Sequence, residues 1–93
     1  MMKTNNAYEV EPKNRFFLTY VTTDVNYPMS VNTYIFERWE TALSKMNSLR
    51  NEWISSREVE NSNIDTEFIN NQTKVCIYHY VLETGEEAYF SIE

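Results

Sequence analysis

The chain has 93 residues, enough for one small domain and too few for a second, so nearly every large apolar side chain has to join a single core. Fourteen acidic against eight basic residues give a net charge of −6, which repels nucleic-acid phosphates and anionic membrane surfaces and disfavours direct binding to either. A single cysteine, Cys76, allows no internal disulfide, so packing alone has to hold the fold, as in a reducing cytoplasm.

Residues 1–14 are polar, contain Pro12 and follow no period, and they read as a flexible N-terminal arm. They contain no apolar leader, and no window of the chain approaches a membrane span, so a cytoplasmic location away from membranes is expected. Asn71-Gln72-Thr73 matches a glycosylation sequon, which that location leaves without meaning.

From Arg15 to Thr23 the aromatic and β-branched run R-F-F-L-T-Y-V-T-T predicts a strand with Phe16, Leu18 and Tyr20 on one face. Asp24 to Asn32 reads as a loop, because Pro28 removes a backbone donor and Asp24 and Asn26 favour turns. Thr33 to Phe36 fits a short second strand better than a helix start, since Glu37 and Glu40 then sit at the positive N-terminus of the helix that follows. That helix, about Arg38 to Arg57, carries an apolar stripe of Trp39, Ala42, Met46, Leu49 and Trp53, with Ile35 in phase before it and Leu43 beside it. The stripe is too short, and its two tryptophans too bulky, for a coiled coil, so it predicts packing on a sheet.

Glu58 to Thr73 is rich in Asn and acid and predicts a long connection, with one short helical turn near Ile64 to Ile69. Lys74 to Leu82, K-V-C-I-Y-H-Y-V-L, predicts a strand that is apolar or aromatic on both faces. A turn at Glu83-Thr84-Gly85-Glu86 then leads into a last strand, Glu87 to Ile92, with the lone glycine where a hairpin needs positive φ. Residues 15–93 are therefore expected to form one α+β domain, a two-layer sandwich. An antiparallel sheet of about four strands, in the order β-β-α-β-β, has one long amphipathic helix on one face. Phe16, Leu18, Val75, Ile77, Phe90 and Ile92 are assigned to the helix-covered face, and Phe17, Tyr78, Tyr80 and Tyr89 to the opposite one.

No pattern names a reaction. Cys76 and His79 are an odd number of residues apart on a strand, so they point to opposite faces and form neither a zinc pair nor a thiol and base pair. The carboxylates lack calcium-loop spacing, Glu86 and Glu87 splay on a turn, and one glycine cannot build a phosphate loop. No cofactor, metal or catalytic residue is expected.

What remains is a recognition surface. Tyrosine offers a large contact area with a polar tip, so Phe17, Tyr78, Tyr80 and Tyr89 are the candidate partner contacts. The acidic segment holding Glu58, Glu60, Asp65 and Glu67, with a second at Glu83, Glu86, Glu87 and Glu93, suits a basic partner. The expectation is a small acidic non-enzymatic protein-binding module of the phage or mobile-element inhibitor type, occupying a basic, nucleic-acid-binding surface of a host protein. The alternative is a homodimeric structural or accessory protein that pairs through its tyrosine-rich sheet face.

Overall fold

The computed structural model describes residues 14–93, so the arm expected over residues 1–14 lies, apart from Asn14, outside the described residues. The elements in chain order are β1 (Phe16–Asp24), β2 (Tyr27–Phe36), α1 (Trp39–Arg57), a single 3-10 turn (Asn61–Asn63), β3 (Ile64–Asn70), β4 (Val75–Val81) and β5 (Glu87–Ile92). All strand pairs are antiparallel, and the sheet runs β2-β1-β5-β4-β3. The architecture is the expected α+β sandwich, with five strands in place of four.

Two connections turn out to be strands. Tyr27 to Asn32 continues the predicted strand Thr33 to Phe36, because β2 lies at the sheet edge and Pro28, next to its first residue, withholds no hydrogen bond the sheet requires. The hairpin is tight: Asp24 pairs with Tyr27, and the Asp24 Oδ1 accepts the Asn26 N–H at 2.9 Å. Ile64 to Asn70, expected as loop with a helical turn, is instead the opposite edge strand, paired along β4 with a bulge between Ile64 and Thr66. It was hidden because none of its residues is buried, so its sequence shows no apolar alternation.

The helix follows the predicted stripe. Trp39, Ala42, Met46 and Trp53 are buried, with Leu43, Leu49 and Ile54 packed beside them. Glu40 in the first turn and Arg57 in the last complement the helix dipole. The helix ends where Glu58 turns to the left-handed conformation, φ 52°, and the Val59 N–H bonds back to the Ile54 carbonyl. Ile35 does not belong to the stripe; it sits on β2, 62 % exposed, on the face away from the helix.

Beneath the helix lie Phe16 and Leu18 from β1, Cys76, Tyr78 and Tyr80 from β4, and Ala88, Phe90 and Ile92 from β5. Tyr78 and Tyr80 are thus core residues, 8 % and 2 % exposed, and the expectation that they face away from the helix is corrected. Val75 and Ile77 exchange places with them. The cause is turn length. Leu82 accepts the Gly85 N–H and donates its own N–H to Glu86, so the loop holds three residues, Glu83 to Gly85. Tyr78 therefore stands opposite Phe90 and Tyr80 opposite Ala88. A turn one residue longer pairs Tyr80 with Tyr89 and turns β4 inside out, because side chains alternate faces with a period of two.

Candidate functional site

Among the described residues nothing covers the side of the sheet away from the helix, and the register arranges its side chains in rows across all five strands. One row runs Ile35, Phe17, Glu93, Val75, Asn70; the next runs Thr33, Thr19, Ser91, Ile77, Phe68; a third runs Val31, Val21, Tyr89, His79, Thr66. Phe17, Val31, Ile35 and Phe68 are exposed, and Val81 lies beyond the third row, also exposed. Ser91, small and central, is shielded by its larger neighbours. Antiparallel sheets that face water usually alternate apolar with polar residues. Here the outer side of β4 carries Val75, Ile77 and Val81 beside one imidazole, so that strand lacks the polar alternation.

Of the four aromatic candidates, Phe17 and Tyr89 belong to this face, with Phe17 44 % exposed. Tyr78 and Tyr80 do not. Val31, Ile35 and Phe68 were missed, although the alternation Met29, Val31, Thr33, Ile35 carries a strand signal that the neighbouring Pro28 and Asn32 obscured.

His79 stands at one side of the face between two carboxylates. Its Nδ1 is 3.1 Å from Asp65 Oδ2 and its Nε2 is 3.6 Å from Glu87 Oε1, and the Tyr89 ring meets it edge-on. Cys76 lies on the other side of the sheet, buried under the helix, its Sγ donating to the Met46 Sδ at 3.6 Å. Burial pushes the Cys76 thiol up from 9.0, and nearby Arg50 only partly opposes this, so the thiolate is disfavoured. Among the described residues no three His, Cys, Asp or Glu side chains come together as a metal site, and no helix is long and apolar enough to cross a membrane.

The acidic candidates divide. Glu58 and Glu60 follow the helix C-terminus, which lies over the β4–β5 turn, where Arg57 Nε donates to Glu86 Oε2 at 2.7 Å. Asp65 enters the same end through its contact with His79. Glu67 lies apart, halfway along β3 opposite Tyr78. The β1–β2 turn touches the β4–β5 turn through Val25 and Gly85, which brings in Asp24, Glu83, Glu86 and Glu87. The two acidic stretches, apart from Glu67 and Glu93, therefore gather at one end of the sandwich. That end carries seven carboxylates, Asp24, Glu58, Glu60, Asp65, Glu83, Glu86 and Glu87, of which Glu86 pairs with Arg57 and Asp65 and Glu87 flank His79. The opposite end holds Arg15, Arg38, Lys45 and Lys74 against Glu37, Glu40 and Glu93.

No family model matches the chain, and no curated protein or solved structure is similar to it.

Proposed function

We propose that this chain is a small non-enzymatic protein-binding module whose open sheet face contacts a protein partner. Its carboxylate-rich end steers that face toward a basic, nucleic-acid-binding surface, the behaviour of a phage or mobile-element inhibitor. The observation that carries the reading is the set of apolar side chains Ile35, Phe17, Val21, Ile77 and Phe68, spread over three adjoining rows on a sheet side that no other part of the described chain covers. The gathered carboxylates support the choice of a basic partner, since complementary potential speeds encounter with one and repels phosphate. The separation of Cys76 from His79 by the sheet supports a binding role over nucleophilic chemistry.

The test is affinity capture followed by kinetics on the captured protein. Phe17→Ser with Phe68→Ser should speed dissociation, whereas Glu58→Lys with Glu60→Lys should mainly slow association. Added salt should slow association in the same way, and DNA or RNA should compete for the partner. A partner bound equally well by both variants, and unaffected by nucleic acid, would remove the proposal.

A further inference from the structure

The two edges of the sheet are built differently. β3 has seven residues, carries Asp65 and Glu67, and is bulged beside Asp65. Charges and bulges are the means by which sheets keep a foreign strand from adding to an edge. β2 has ten residues, Y-P-M-S-V-N-T-Y-I-F, and none is charged. Its register with β1 is unbroken from Ser30 to Phe36. Pro28 removes one donor near the turn; from Met29 to Phe36 no described strand lies on its outer side.

We infer that β2 is a self-association strand, to which a second copy of this chain adds its own β2 in antiparallel pairing, joining two five-stranded sheets into one of ten strands. The lack of charge suits a two-fold axis, which brings each strand against its own copy and would set a charge near the middle of the strand beside its like. A strand from a basic partner would find no carboxylate there. The ends of the sandwich favour the same arrangement. Antiparallel pairing sets the carboxylate-rich end of one molecule, where β2 begins, beside the end of the other where β2 stops, at which Arg15, Arg38, Lys45 and Lys74 stand against only Glu37, Glu40 and Glu93, so the two carboxylate-rich ends are kept apart. Met29, Val31 and Ile35 of both copies then continue the apolar rows begun by Phe17 and Val21.

The experiment is sedimentation and light scattering of the full 93-residue chain over a dilution series. The expected species has twice the 11.1 kDa chain mass and dissociates on dilution. Val31→Lys with Thr33→Lys, both exposed positions, should weaken it by about tenfold or more, since lysine is a common guard of edge strands. Phe68→Lys, on the far edge of the same face, should leave it intact. Amide exchange in wild-type β2 should slow as concentration rises, a readout that needs no variant.

A monomer at every soluble concentration overturns the inference. So does a dimer broken by Phe68→Lys but not by the β2 lysines, which would mean that the sheets stack face to face. Loss of the dimer on removing residues 1–13 would also overturn it, by making that segment the bridge. These outcomes are separate from those of the partner test, because mass and partner kinetics are read independently.

Discussion

The Arg50 guanidinium carbon lies 3.5 Å from the centre of the Tyr78 ring, and its Nη2 donates to the Tyr80 hydroxyl at 2.7 Å. One helix side chain thus covers both tyrosines and supplies the polar partner that a buried phenol needs. Arg50→Ala should destabilise the fold by about 1–3 kcal/mol in a denaturant titration, combining a lost cation–π contact with a lost charge-assisted hydrogen bond. Arg50→Lys should recover less than half of this, because an ammonium cannot both lie over a ring and fork to a hydroxyl.

Trp53 is buried against Tyr80, yet its indole N–H has no acceptor among the described residues. Trp53→Ala should cost about 3–5 kcal/mol, the usual range for a buried large aromatic. Trp53→Phe keeps an aromatic ring against Tyr80 and removes the unpartnered donor, so its cost should fall to about 1–2 kcal/mol. Equal losses for the two variants, measured by thermal or chemical unfolding, would show that the indole nitrogen is satisfied.

Gly85 has φ +94°, and a Cβ there would stand 2.7 Å from Val25 Cγ1. Gly85→Ala should therefore destabilise by about 1–3 kcal/mol through backbone strain and contact together. Adding Val25→Ala should return the part due to contact and leave the strain, so a double-mutant cycle separates the two causes.

Burial raises the Tyr20 and Tyr78 phenols above 10.0, with Arg57 and Arg50 respectively pulling the other way. In the unfolded chain these phenols lose their protons near 10, whereas in the fold they hold them to higher pH. The unfolded state therefore binds fewer protons in that window, and stability falls as pH rises. Unfolding free energy should hold on this account up to about pH 10 and decline above it, more shallowly for Tyr20→Phe. A flat profile through that window in the wild type would count against the burial of both rings.

The helix was legible because its stripe repeats at helical spacing and all its apolar members find the sheet. The hairpin from β4 to β5 was legible from Gly85. Its register was not. β4 is apolar on both sides, so composition does not say whether Tyr78 or Ile77 turns inward, and the length of the loop decides it through backbone hydrogen bonds. The open face inherits that ambiguity: Phe17 and Tyr89 lie on it as their strands' alternation predicts, whereas Tyr78 and Tyr80 turn inward and Val75 and Ile77 take the outward side. The edge strands were hardest to read, because an edge is stabilised by its partner's backbone more than by burial of its own side chains.

β3 bonds along one side to β4, has no buried residue, and adds only the half-buried Ile64 to the margin of the core. Its departure exposes little apolar surface, so local unfolding there costs far less than opening the core. With β3 released, residues 58–74 become one long tether and the body that remains is a four-stranded β-β-α-β-β sandwich. Limited proteolysis should therefore nick the chain first within residues 58–74, the segment tied to the body by one strand ladder and almost no burial.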